Sequence, residues 1–229
     1  MSPQHSGSRL ADISRVFIIS LLVVGCSNVN LSLNGEGIEG SGKSASASRK
    51  VESYHQIRLN LPALLTVDVI RDGKINITAD DNILAHITTK VKDGELEIST
   101  DQSIQNIKEL TITAQTGQLD KLAVNGSAKI IINSLTGDHF DVVSNGASTI
   151  TVNGAIDKLT ATVNGSGNLN AAKLAASIVT VKITGSGNVD VCAKTELNAT
   201  TVGSGRIRYR GSAIVSQKVI GSGTIEKMP

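Results

Sequence analysis

From residue 51 onward the chain alternates apolar with polar residues in short bursts. HQIRLNL, LLTVDVI, GKINITA, GELEIST and KELTITA each place every second side chain on an apolar row. A period of two is the mark of half-buried β-strands and predicts strands through most of residues 51–119. One stretch departs from it. In DDNILAHI, residues 80–87, the aspartates suit a first helical turn and Ile83, Leu84 and Ile87 fall on one side, so a short helix is expected there.

Beyond residue 120 the alternation acquires a longer beat. VNGSAKII, SNGASTIT, VNGSGNLN, ITGSGNVD, VGSGRIRY and IGSGTIEK align on Gly126, Gly146, Gly165, Gly185, Gly203 and Gly221, at intervals of 20, 19, 20, 18 and 18 residues. A sustained period near twenty is the signature of a solenoid. Equivalent positions carry equivalent chemistry: two before the glycine stand Val124, Ser144, Val163, Ile183, Thr201 and Val219, and four before it Leu122, Val142, Ala161, Val181, Ala199 and Gln217. Four after it come Ile130, Ile150, Leu169, Val189, Ile207 and Ile225, and six after it Ile132, Val152, Ala171, Val191, Tyr209 and Lys227. Each repeat therefore reads as two short strands with inward aliphatic residues, joined at a glycine corner and closed by a more variable bend.

One such repeat cannot bury its inner face, whereas stacked copies build continuous aliphatic ladders, each fully buried side chain contributing roughly 1.5–3 kcal/mol. The expected fold is all-β, a single-stranded parallel β-helix with about 18–20 residues per coil. The six glycines are its structural corners, where the backbone needs positive φ or a close approach from the neighbouring coil. An antiparallel meander is the alternative, but it predicts turns every 8–12 residues without register across copies. Asn125, Asn145 and Asn164 precede three of the corners; a ladder exposed for a partner is one reading, and Asn favouring turns, with stacked amides bonding along the axis, is the preferred one.

The N-terminus reads differently. Arg9 and Arg15 precede the apolar run VFIISLLVV, residues 16–24, which is far short of the roughly 20 residues of a membrane-spanning helix. It fits the apolar core of a cleaved export signal. With Gly25-Cys26 it resembles a bacterial lipobox, LVVGC, which implies cleavage before Cys26 and lipidation of that cysteine. By the same resemblance Ser27 implies sorting to the outer membrane, facing the periplasm or the cell surface. The chain then divides into a signal at 1–25, a Gly/Ser/Ala-rich flexible tether at 26–50 and a head at 51–229, itself made of strands with one helix (51–119) and the glycine repeats (120–229).

Without residues 1–25, 20 Lys and Arg balance 19 Asp and Glu, which gives no footprint for nucleic acid or for anionic lipid. With Cys26 acylated, Cys192 stands alone and no disulfide framework is expected; next to inward Val191 it reads as a small core or corner residue. Two Phe, two Tyr and no Trp leave few platforms for stacking sugars or bases.

IEGSGK, HQIRLNLPALLTVDVI, INITADDNILAHITTKVKDGELEIST and the run of N-G-S-A and G-S-G corners resemble the bacterial family described as putative auto-transporter adhesin, head GIN domain. The likeness covers residues 38–225 and implies a β-helical adhesin-like domain with no catalytic residues. Many β-helices act on polysaccharides, which calls for clustered carboxylates or a tuned base. Asp138 and Asp157 are the only acids that stack, each eight residues before its glycine, in turns where Asp is conformationally favoured. His55, His86 and His139 lie in unrelated registers, no His/Cys cluster has metal spacing, and the GSG serines lack a nucleophile-elbow context.

The reading is a non-catalytic, lipid-anchored envelope protein, with no cofactor or metal and with an envelope or surface glycan or protein as partner; a polysaccharide-active β-helix enzyme is the alternative. Replacing Cys26 by Ala is expected to leave the precursor uncut by lipoprotein signal peptidase and free of radiolabelled palmitate. Label retained in that variant would overturn the lipoprotein assignment.

Overall fold

Every residue two or four before a corner glycine, or four after it, lies in a parallel ladder with its counterpart in the next copy. In the computed structural model, Lys121–Gly126 pairs with the end of Lys129–Gly146, and the ladder continues through Thr149–Gly165, Asn168–Gly185 and Asn188–Gly203 to Ile214–Gly221. The architecture is the parallel β-solenoid, of about five turns. The structure describes residues 37–229, apart from 72 and 108. The signal, Cys26 and the first part of the tether lie outside the described residues.

The interior is filled by the residues that the repeat register marks as inward. Leu122, Val142, Ala161, Val181 and Ala199 are buried, as are Ile130, Ile150, Leu169, Val189 and Ile207. Another ladder belongs with them. Phe140, Leu159, Val179 and Leu197, each six before its glycine, pair in sequence, and all four are fully buried. In the last copy the pattern fails: Val219 and Gln217 are exposed, since no other coil of the described residues stacks beneath them.

The bend between copies is more regular than the sequence implies. Strand pairing runs through it, so that Lys129–Gly146 and Asn168–Gly185 are each 18 residues long. Leu135, Gly154 and Leu174 pair across successive coils, as do Gly137, Ile156 and Ala176, giving the coil a third side with its own buried residues. The register shifts fall here, between Ile132 and Leu135, Thr151 and Asn153, Ala171 and Ala175, and Ala176 and Ile178. Differences in repeat length are absorbed on this side while the other two stay in phase.

The N-terminal strands build further layers on the same stack. Gln56–Leu59 and Leu64–Val69 lie parallel to 121–124 and 129–133, and Glu95–Thr100 and Leu110–Thr116 lie parallel above them. Antiparallel strands then close this end: Ile87–Lys92 on Glu95–Thr100, Lys74–Asp80 on Leu110–Thr116, and Ser44–Lys50 on Lys74–Asp80. The last of these corrects the tether reading, since Ser44–Lys50 is a strand. The alternation SASASRK lets it cover an edge, and the Arg49 guanidinium donates to the carbonyls of Leu84 and Ile87.

The helix is shorter than the pattern implies, a single turn over Asp81–Leu84. Ile83 and Ile87 are both buried, but Ile87 already begins the next strand, whose ladder satisfies more backbone groups than another helical residue would. Gly35–Pro229 makes one compact unit that contains all of these strands and the whole described core.

Phe140 is the largest of the fully buried side chains. Phe140→Ala is expected to lower unfolding free energy by about 3–5 kcal/mol in chemical denaturation. Asp138→Ala, exposed two residues away, is expected to cost under about 0.5 kcal/mol.

Candidate binding surface

The corners set the shape of the outer surface. Gly165 and Gly185 have φ of 114° and 123°, in the region that favours glycine. A Cβ on Gly185 would lie 2.5 Å from the carbonyl oxygen of Gly165, and the same clash, at 2.5–2.6 Å, recurs at Gly146, Gly165, Gly203 and Gly221. That oxygen is held in place by the next coil, since Ser186 N donates to Gly165 O at 2.9 Å and Ser204 N to Gly185 O at 2.9 Å. The second glycine of each G-S-G recurs in the sequence as regularly as the first and is as closely packed. A Cβ at Gly187 would meet Val163 Cγ1 at 2.7 Å, and one at Gly205 would meet Ile183 Cγ2 at 2.6 Å. The inward β-branched residue of the coil above fills that space.

Beside the corners runs a row of amides. Asn164 Nδ2 donates to Asn145 Oδ1 (2.9 Å), Asn145 to Asn125 (2.9 Å), Asn125 to Asn60 (2.7 Å), and Asn60 to Glu97 Oε1 (3.0 Å). The chain of bonds ends where the register brings Thr184 below Asn164. A second row on another side joins Asn153, Asn133 and Asp68 at 3.2 and 3.0 Å, and Asn188 donates to Asn168 at 2.8 Å. Asn60 and Asp68 enter from a distant part of the sequence, so only the tertiary stack shows that the rows extend to them.

Near the last of these amides is a groove of about 340 Å³ lined by Thr149, Asn168, Asn170, Asn188, Asp190, Arg206 and Arg208. Arg208 grips Asp190 through Nε at 2.8 Å and Nη2 at 2.6 Å, and this pairing raises its pKa above the ordinary arginine value. Arg58 is held in the same way by Glu95, at 2.7 and 3.0 Å, with its pKa likewise raised. A larger depression of about 510 Å³ lies by the first corners, lined by residues that include Pro62, Glu109, Ser127 and Lys129. Its single carboxylate accepts from Thr111 Oγ1 at 3.1 Å.

The candidate acids and bases are dispersed. Asp138 and Asp157 are both exposed, on the third side of neighbouring coils. His55 Nδ1 is 2.9 Å from Asp120, His86 Nδ1 is 2.9 Å from Asp101, and exposed His139 stands beside Lys158 of the next coil. The two His–Asp pairs join residues 65 and 15 positions apart and leave no trace in spacing. Among the described residues no three His, Cys, Asp or Glu side chains come together in a way that could hold a metal ion. Cys192 is free and half-buried. Of the described aromatics, Tyr54 and Phe140 are buried and Tyr209 is half-buried.

At the closed end, Ser41 donates to Asp81 and holds that carboxyl below its ordinary pKa. Asp80 is 4% exposed, and its Oδ2 is the one buried side-chain polar atom without a partner among the described residues. It packs where a side chain on Gly40 would be, which gives the first glycine of IEGSGK a steric reason.

The model of the family described as putative auto-transporter adhesin, head GIN domain, matches residues 53–213. No curated protein matches the chain. Among solved structures, a putative adhesin from Bacteroides fragilis NCTC 9343 is 27% identical, with 84% of this chain and 100% of that one covered and a TM-score of 0.67. A putative lipid binding protein from Parabacteroides distasonis ATCC 8503 (22% identical, 84% and 99% covered, TM-score 0.54) shares the fold. So does a putative adhesin from Parabacteroides merdae ATCC 43184 (21%, 84% and 99%, TM-score 0.53).

Gly185→Val should cost at least about 3 kcal/mol in thermal or chemical unfolding, since it combines positive φ with a backbone clash. Ser186→Ala, on the exposed residue next to it, should cost under about 0.5 kcal/mol. Equal, small losses in both variants would contradict the stacked-corner geometry.

Proposed function

The chain belongs to the family described as putative auto-transporter adhesin, head GIN domain, and on that premise we propose that it is a lipid-anchored protein of the bacterial cell envelope whose solenoid binds a partner without transforming it. The observation that carries this reading is the family match over residues 53–213, and the amide row Asn60–Asn125–Asn145–Asn164, bonded along the axis as a stacking device, adds outward hydrogen-bonding capacity to it. Asn125 and Asn145 each donate one N–H and accept one bond within the row, which leaves a second N–H and a second carbonyl lone pair for the outside. At a coil spacing of about 4.8 Å this makes a regular array of hydrogen-bonding groups on a flat face.

Such an array suits a surface rich in hydroxyls or amides, an envelope or cell-surface glycan or protein. The scarcity of exposed aromatic rings argues that sugars would be held by hydrogen bonds without stacking. Flat polar contacts gain little affinity per unit area, so strength comes from several coils and from many anchored copies acting together. Anchoring through Cys26 would supply that density.

The carboxylates support the non-catalytic side of the proposal. Glu95 and Asp190 are committed to arginines, Asp101 and Asp120 to histidines, and Glu97 and Asp68 to the amide rows. Glycoside hydrolysis needs two carboxyl groups facing one bond about 5–9.5 Å apart, one of them able to donate a proton. Asp138 and Asp157, expected in turns, lie instead on the continuous strands of the third side, side by side and exposed, where they do not face one another across a bond.

Residues 35–229, screened against polysaccharide panels and glycan arrays, should show no hydrolase or lyase turnover and weak monomeric binding that rises at least about tenfold when many copies are displayed on one membrane. Asn145→Ala with Asn164→Ala should reduce that binding. Turnover of any glycan that Asp138→Asn or Asp157→Asn abolishes would replace this reading with the enzymatic one.

A further inference from the structure

We propose that the C-terminal coil is a docking face for an anionic lipid surface. The two ends of the stack are unlike. Antiparallel strands close the N-terminal end, whereas among the described residues Ile214–Gly221 and Thr224–Lys227 each pair on one side only, with Asn188–Gly203 and Arg206–Arg210 respectively. Of the five large apolar residues exposed among those described, Ile70 lies apart and four gather toward the open end: Ile178 (38%), Val219 (44%), Ile220 (49%) and Ile214 (81%).

These residues are arranged, not scattered. Alternation along Ile214–Gly221 puts Ile214, Ser216, Lys218 and Ile220 on the outward side of the strand. The register sets Ile214 below Glu196 and Ile178, Lys218 below Thr200 and Lys182, and Ile220 below Val202 and Thr184. The position occupied by Asn in the upper coils thus becomes Val202 and then Ile220 as the stack runs out. Two isoleucines flank a lysine on the outermost strand.

Charge follows the same gradient. Residues 203–229 carry Arg206, Arg208, Arg210, Lys218 and Lys227 against Glu226, a net +4, which leaves −2 for the other side chains of a chain whose total is +2. The near-neutral balance of the whole chain conceals this. Arg208 is paired with Asp190, and Arg206 stands 3.9 Å from Glu226; Arg210, Lys218 and Lys227 enter no ion pair among the described residues.

A second copy meeting this end head to head would bring like charges together over the small area of one coil. An acidic protein or a nucleic acid would use the cations and leave the outward isoleucines unsatisfied. An anionic bilayer takes both: acidic headgroups meet the lysines and arginines, and the aliphatic tips enter the boundary between headgroups and acyl chains. An exposed apolar patch in a mainly basic coil, with Glu196 the acid in register beside Ile214, marks an interaction surface.

The compact unit 35–229 carries its own core and lacks both residues 16–24 and Cys26, so its membrane binding is separable from anchoring. In co-sedimentation, it should bind vesicles of phosphatidylcholine mixed with phosphatidylglycerol, lose binding as salt rises, and ignore pure phosphatidylcholine. Ile214→Ser with Ile220→Ser should reduce the partition coefficient about tenfold. Lys218→Glu with Lys227→Glu should do at least the same, and Lys158→Glu, on a distant coil, should change it less than about twofold. Circular dichroism and thermal unfolding of each variant separate loss of binding from loss of fold. Absent binding, equal binding to both vesicle types, or binding untouched in the folded isoleucine variant would overturn the proposal. So would a concentration-dependent dimer in sedimentation velocity that the isoleucine variant abolishes, which would assign the face to a second copy.

Discussion

The structure depends on one close approach. At each corner the carbonyl oxygen of a glycine occupies the place where the next coil's glycine would carry its Cβ, and a backbone N–H of that next coil holds the oxygen there. The contact is repeated from Gly126 to Gly221. It sets the phase of the two strands on either side, and with the phase it decides which residues enter the core. Leu122 and Val142, or Ile130 and Ile150, meet because the corners between them cannot slip. A side chain at Gly146, Gly165, Gly185, Gly203 or Gly221 would push two coils apart along the axis and misalign both ladders, whereas one at Gly126 would meet no neighbour. Buried aliphatic area supplies the stabilisation, and the glycines decide where it can be collected.

A stack locked at its corners must accommodate unequal repeats elsewhere. The third side does this, with a register shift in each of the three long coil-to-coil ladders. It can do so because its inward residues are fewer and interchangeable: Leu135, Gly154 and Leu174 share one position, as do Gly137, Ile156 and Ala176. A leucine in one coil fills what a glycine leaves in the next. The same tolerance makes this side variable in sequence while it stays continuous in hydrogen bonding.

Outward chemistry changes along the axis although the backbone does not. Amides bonded to each other occupy the corner-side row in the upper coils, and aliphatic residues replace them toward the open end. Acids are spent on neighbouring arginines, histidines and amides, which leaves a polar surface with little that converges. A solenoid with a regular polar face and a basic, apolar tip presents two kinds of surface. Their separation along one axis follows from the stacking, since each coil contributes one residue to every row.

The solenoid is legible in the amino-acid sequence. Glycine spacing, in-phase aliphatic positions and period-two strands all express nearest-neighbour packing between consecutive coils, and such packing is local enough to be written as a repeat. The sequence also revealed the amide row as far as Asn125, Asn145 and Asn164. What lay outside the repeat was decided by tertiary structure alone. Ser44–Lys50 reads as a polar linker and becomes an edge strand because Lys74–Asp80 needs a partner. The extension of the amide rows to Asn60 and Asp68, and the pairing of His55 with Asp120, depend on layers laid down by residues 56–69 next to residues some 65 positions later. The uneven ends have the same origin: period and composition are averages over the chain, and which coil lacks a neighbour is a property of the assembled stack.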